Sequence, residues 1–212
     1  MKNSTNPTVA PYAADGEVRL RVTAKANTKE EGEKICLDMI EVLKKTEVGK
    51  YIYGIDTTPE KALIEKLTRN NMKIAVAESC TGGMVTEVLT TVSGASAVLD
   101  GSVVSYANEI KARLLNVSEE TLESKGAVSE ECALQMAEGV RKLMGADMGI
   151  SITGIAGPTG GTPEKPVGTV YIAVSTAKES KFEKLNIRNN GREYIRRVSA
   201  KSVLMLALKS FD

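Results

Sequence analysis

The sequence predicts an α/β protein: a three-layer α/β/α domain with a mixed sheet, preceded by a small α+β domain. Three observations carry this reading. From Pro59 onward short apolar runs alternate with amphipathic segments, the pattern of a sheet covered by helices on both faces. Strand-like segments Val167 to Ser175 and Phe182 to Ile187 follow each other with no helix between them, so the sheet is mixed rather than all parallel. Asp56-Thr57-Thr58-Pro59-Glu60 is a helix start that divides residues 1–55 from residues 56–212.

Taken in order, residues 1–14, punctuated by Pro7 and Pro11, read as an extended linker. From Gly16 to Ala26 the chain alternates, with Val18, Leu20 and Val22 on one side and Arg19, Arg21 and Thr23 on the other, as in a half-buried strand. Asn27 or Thr28 caps a helix carrying Ile35, Leu37, Met39, Ile40 and Leu43 at helical spacing. Tyr51-Ile52-Tyr53 reads as a second short strand, giving a strand–helix–strand module too small to bury much surface by itself.

Thr58 and Pro59 then open a helix through Leu63, Ile64 and Leu67. Ile74-Ala75-Val76 is a strand that delivers the tight turn Ala77 to Gly83 and a helix from Met84. Leu99 to Tyr106 is a strand centred on the β-branched Val103 and Val104, and Asn108 to Lys111 opens a short helix ending near Asn116. Ser118 and Ser129 each cap a further helix with acids in its first turn. The second of these turns Leu134, Met136, Ala137, Val140 and Leu143 inward and stops at Gly145. Met148 to Ile152 is a central strand leading into a glycine-rich loop, Thr153 to Gly161. The final helix spans Arg192 to Leu208, with Ile195, Val198, Val203, Leu204 and Leu206 apolar.

The most restrictive feature of the composition is the absence of histidine. Ser-His-Asp and Cys-His catalysis within one chain are excluded, as are imidazole-dependent zinc sites. A nucleophilic serine here needs Lys, Tyr, Asp or Glu as its activator, lysine foremost. Twenty-eight basic against 27 acidic residues leave a net charge of +1, no footprint for bulk nucleic acid or a membrane surface. Cys36, Cys80 and Cys132 form neither a CxxC pair nor a disulfide framework, which suits a reducing compartment. No signal-like h-region follows Met1, and no apolar run approaches the roughly 20 residues that span a bilayer. A cytoplasmic, soluble protein is expected.

Loops leaving the carboxyl ends of strands in an open α/β sheet converge at one edge. Three such loops carry reactive or ligand-shaped residues. In the first, Gly82 and Gly83 let the backbone turn sharply beside Ser79, and the following helix points its free amides at whatever sits above. Ser79 is a nucleophile candidate, although Ser79 or Thr81 could simply cap that helix, and Cys80 suits a small buried hydrophobe as well as a thiol nucleophile. In the second, Lys111 is either a solvated lysine or a buried amine of lowered pKa. Tyr106 relays a proton or fills core, and Asn108 caps the helix or touches substrate. The third, from Thr153 to Gly161, matches neither the P-loop nor the dinucleotide fingerprint but suits close backbone approach to a phosphate. Arg192 could meet that phosphate bidentately or lie on the surface.

The stretches Ala77-Glu78-Ser79-Cys80-Thr81-Gly82-Gly83, Tyr106-Ala107-Asn108-Glu109-Ile110-Lys111, Gly126-Ala127-Val128-Ser129, Thr153-Gly154-Ile155-Ala156-Gly157-Pro158 and Lys165-Pro166-Val167-Gly168-Thr169-Val170 occur in that order. This set resembles the CinA family (competence/damage-inducible protein A), specifically its C-terminal amidohydrolase domain, over residues 59–212. Asn6 to Tyr12 and the strand and helix that follow resemble the small middle domain of full-length members. The resemblance implies a nicotinamide-nucleotide amidase, converting nicotinamide mononucleotide and water to nicotinate mononucleotide and ammonia, with no metal and no cofactor. It implies Ser79 as nucleophile, Lys111 as general base and Tyr106 in support of proton transfer. Glu78, Cys80, Thr81, Gly82, Gly83 and Asn108 would line the substrate, with amides after Ser79 stabilising the oxyanion. Thr153, Gly154, Gly157 and Arg192 would hold the phosphate and ribose.

The family's N-terminal domain, which resembles molybdopterin-binding proteins and is associated with metal-dependent ADP-ribose pyrophosphatase activity, has no counterpart in this sequence, so that activity is not expected. The rival reading is a non-catalytic nucleotide-binding or regulatory module. A nucleic-acid role for residues 15–55 is opposed by the near-neutral charge and the lack of a GXXG clamp. The expected partner is therefore a small-molecule nucleotide, with no nucleic acid and no membrane. Domains of this kind often form homodimers.

Overall fold

The computed structural model describes residues 5–14 and 16–211 and divides into two compact units, Met1–Ile55 and Asp56–Asp212. In the first unit β1 (Thr8–Ala14) pairs antiparallel with β2 (Glu17–Thr23), in a register from Thr8 opposite Thr23 to Ala14 opposite Glu17. Residues 8–14 are thus a strand and not a linker. Pro11 obscured the signal, because proline cannot donate to a ladder. It is tolerated here because both strands of a two-stranded sheet are edges. Within β2, Leu20 and Val22 are half-buried, but Val18 is exposed, so the alternation holds for only part of the strand.

Helix α1 (Lys29–Lys44) follows, its N-terminus closed by Thr28, whose hydroxyl accepts from the Glu31 amide. Leu43 is the one fully buried residue of this helix. The expected strand at Tyr51–Tyr53 is absent. Gly49–Tyr51 forms a 3-10 turn instead, and no second ladder exists there for the β-prone residues to join. The first unit is consequently strand–strand–helix.

In the second unit a five-stranded sheet has the order β4-β3-β5-β6-β7. Its strands are β3 (Ile74–Glu78), β4 (Leu99–Val104), β5 (Met148–Gly154), β6 (Thr169–Thr176) and β7 (Ser180–Asn186). β3 runs parallel to both β4 and β5, whereas β6 is antiparallel to β5 and to β7. The sheet is mixed because the short β6–β7 connection leaves no room for a crossover helix.

Helices α2 (Pro59–Arg69), α3 (Met84–Thr90) and α7 (Arg192–Lys209) pack together, with α7 against β5 and β6. Helix α6 (Glu130–Met144) packs on the sheet and gathers α4 (Asn108–Leu115) and α5 (Glu119–Ser124) around it. This is the three-layer domain the sequence predicts.

Local rules explain most boundaries. Ser118 and Ser129 accept from the Thr121 and Cys132 amides as N-caps, and Gly145 ends α6 in the left-handed region at φ 66°. Two expectations fail. Asn108 does not cap α4: the first helical bond already runs from the Lys111 amide to the Ala107 carbonyl, which makes Ala107 the cap residue. Leu143 is 51% exposed, while Cys132 and Ala133 are fully buried, so the inward face of α6 starts nearer its N-terminus. Gly139 lets that face approach closely, since a Cβ there would collide with the Leu115 carbonyl.

Candidate active site

The carboxyl ends of the three parallel strands open onto one edge of the sheet, and each ends in a loop that carries a site residue. Strand β3 is buried along its whole length and leads directly into Ser79. The Ser79 amide donates to the Ile152 carbonyl of β5, and the Ser105 amide donates to the Glu78 carbonyl. The Ser79 turn is thereby anchored to both neighbouring strands. It closes through the Gly82 amide, which donates to the Ser79 carbonyl at 3.1 Å. Gly82 and Gly83 follow at φ 60° and 101°, where a Cβ is strained.

Glu78, expected to face the substrate, does something else. It is fully buried, and its carboxylate accepts from the amides of Gly83, Val85 and Thr86 and from the Thr86 hydroxyl. The expectation that the amides of the following helix point at a ligand is corrected by the same bonds, because Glu78 occupies them. Among the described residues, the Cys80 and Thr81 amides of this turn donate to no main-chain carbonyl.

Lys111 lies one turn into α4 and is only 1% exposed. Its Nζ is 3.1 Å from Ser79 Oγ, 2.7 Å from the Ser105 carbonyl and 3.3 Å from the Tyr106 carbonyl. No carboxylate pairs with it among the described residues. Burial pulls its pKa below the ordinary lysine range. Burial also pushes the Cys80 thiol up to about 12 and the Cys132 thiol up to about 11. Both thiols are therefore protonated near neutral pH, and neither gives Lys111 a counter-charge.

In the neutral amine both N–H groups have a carbonyl to meet, and the lone pair is left for the Ser79 hydroxyl. That arrangement can take a proton from Ser79. Cys80 is 6% exposed and its thiol pKa is raised by burial, which fits a small apolar side chain.

A second group of contacts ties the three loops together. The Arg192 guanidinium donates to the Gly157 carbonyl at 2.8 Å and to the Tyr106 hydroxyl at 3.0 Å. The Tyr106 ring is 62% exposed, so it lies at the rim and does not fill core. Asn108 is exposed, and its side chain makes no hydrogen bond among the described residues. The third loop does not present the expected groups to a ligand. Thr153 is 1% exposed and donates its hydroxyl to the Ala127 carbonyl. Gly154 and Gly157 have packing reasons of their own: a Cβ would press on the Thr169 carbonyl and Val170 at the first and on Val167 at the second.

Arg196 was not legible as a site residue in the sequence. Its Nε and Nη2 both donate to the Thr81 carbonyl. The available signal was its spacing of four residues from Arg192, which places both on one face of α7. Among the described residues no group of three or more His, Cys, Asp or Glu side chains could hold a metal ion, and no helix is long and apolar enough to cross a membrane.

Fold and site together define a class: an α/β protein with a buried Ser–Lys pair where its parallel strands end. Residues 56–211 match the CinA C-terminal domain and residues 1–54 the damage-inducible protein CinA KH domain. The chain belongs to the CinA family. It is 50% identical over 198 residues to a CinA-like protein of Dictyoglomus thermophilum, an alignment covering 92% of this chain and 48% of that one. A CinA-like protein of Prochlorococcus marinus is 52% identical over 174 residues, covering 82% and 41%. The chain thus spans about half the length of the curated relatives it matches.

Among solved structures, the competence/damage inducible protein CihA from Agrobacterium tumefaciens superposes with a TM-score of 0.68 at 36% identity, covering 74% of this chain and 99% of that one. The competence or damage-inducible protein from Enterobacter asburiae gives 0.69 at 30%, covering 74% and 100%.

Proposed function

We propose that this chain hydrolyses a carboxamide, that of nicotinamide mononucleotide, through Ser79 and Lys111, without a metal or cofactor. The observation that carries the reading is the buried Lys111 amine, held by two main-chain carbonyls and 3.1 Å from Ser79 Oγ. In the proposed sequence Lys111 takes the hydroxyl proton as Ser79 Oγ attacks the carboxamide carbon. The resulting oxyanion is met by the Cys80 and Thr81 amides. Lys111 then returns the proton to the departing nitrogen, which leaves as ammonia. Water, deprotonated by the same amine, attacks the Ser79 ester; as the ester bond breaks, Lys111 returns that proton to Ser79 Oγ and the acid is released.

The nucleotide part of the reading is supported by family membership and by Arg192, whose guanidinium sits at the rim beside Tyr106. Neither nucleic acid nor membrane is needed as a partner, and a homodimer is compatible with the reaction.

An ammonia-coupled assay tests this. Steady ammonia release from nicotinamide mononucleotide is expected, unchanged by a chelator and abolished in Ser79→Ala. Absence of release from the intact chain, or undiminished release from Ser79→Ala, refutes the reading.

A further inference from the structure

Arg196 is half-buried on α7, and among the described residues no carboxylate pairs with it. Instead its Nε and Nη2 converge on a single main-chain acceptor, the Thr81 carbonyl. Its guanidinium also lies over the next residue: a Cβ built on Gly82 would sit 3.7 Å from Nη2. A guanidinium placed this way is expensive for a surface helix to hold unless the carbonyl it grips matters.

That carbonyl belongs to the Thr81–Gly82 peptide, whose other end, the Gly82 amide, donates to the Ser79 carbonyl. The peptide plane is therefore fixed at both ends. That plane is joined through Thr81 to the peptide that carries the Thr81 amide, and through Cys80 to the one that carries the Cys80 amide. We infer that Arg196 is a positioning residue, which by gripping the Thr81 carbonyl aims the Cys80 and Thr81 amides at the oxyanion position beside Ser79. The inference rests on the amidase reading and extends it to a residue that need not touch the substrate. One turn earlier Arg192 ties the other two loops, so the start of α7 staples all three.

The test uses the full chain with Arg196→Met and Arg196→Lys. Because the oxyanion contact exists only as the amide is attacked, kcat should fall by about 10²-fold in the Met variant while KM stays within about threefold. The Lys variant, which keeps a charged donor, should recover part of kcat. Labelling of Ser79 by a fluorophosphonate, followed by mass spectrometry, should slow in parallel in both variants.

An unchanged kcat, a rise in KM alone, or a loss of activity matched throughout by a loss of Tm would overturn the proposal. If the Met variant does not fold, the Lys variant decides by the same measures. The labelling arm separates the two readings. A wild-type chain that labels at Ser79 but releases no ammonia defeats the amidase reading, while the variants' labelling rates still decide the role of Arg196. A chain that does neither defeats both.

Discussion

Replacing Lys111 by methionine should separate catalysis from stability. Methionine has nearly the length of lysine and fits a site that is 1% exposed, so no cavity is left. The change removes the donor to the Ser105 and Tyr106 carbonyls, at a cost of about 1–3 kcal/mol for each acceptor left unmet. Against this stands the relief of no longer desolvating an amine that has no carboxylate partner, a term of similar size. The two nearly cancel, and the net change in stability should stay within about 2 kcal/mol, a Tm shift of no more than about 8 °C for a chain of this size.

Ammonia release, by contrast, loses the amine that lies 3.1 Å from Ser79 Oγ and should fall by about 10³-fold or more. Lys111→Arg should be as inactive, because a guanidinium does not give up its proton. Steady-state assay and thermal melts on the same preparations check both halves. A Lys111→Met variant that keeps more than about a tenth of wild-type kcat would refute the proton-transfer role.

The lowered pKa of Lys111 sets two pH dependences. In the proposed mechanism its neutral form is the competent one, so kcat/KM should rise with pH through a limb below the ordinary lysine range, and that limb should vanish in Lys111→Met. Between the lowered value and the ordinary one the unfolded chain binds a proton that the folded chain does not. Wild-type stability should therefore rise with pH across that window relative to Lys111→Met, as melts at stepped pH will show. Glu78→Gln replaces one acceptor oxygen by a donor facing α3 and should cost about 2–4 kcal/mol, read as a lowered denaturation midpoint, with activity falling as the turn loosens. In a timed alkylation by iodoacetamide, half-buried Cys36 should react first, with Cys80 and Cys132 protected until the chain unfolds.

Much of this was legible because local rules dominate. The run Ile74-Ala75-Val76 before two glycines required a strand and a tight turn, and Ser118, Ser129 and Gly145 mark helix ends by chemistry that acts within a few residues. Lys111 emerged by elimination, since a chain without histidine leaves few bases. What stayed hidden depends on contacts distant in sequence or on directions no pattern encodes. The strand Thr8–Ala14 needs its partner β2 to override Pro11. Glu78 looks like a site acid, but its carboxylate meets amides up to eight residues ahead only once the turn has folded. Thr153 reads as a loop hydroxyl until Ala127 is brought beside it, and Arg196 differs from its neighbour Arg197 only in which way the helix turns it.

The carboxylate of Glu78 also settles what kind of charge this turn can welcome. Glycine-rich turns before helices commonly receive phosphate on their free amides, yet here a built-in anion already sits on them. A phosphate offered to the same amides would meet repulsion rather than a cradle, so under the proposed amidase function the anionic end of a nucleotide would belong on the arginine side of the site. The reacting end would then be left for a neutral carboxamide. Hydrolysis would turn that neutral group into a carboxylate beside the Glu78 side chain, and a turn that admits the amide would thereby favour letting the acid go.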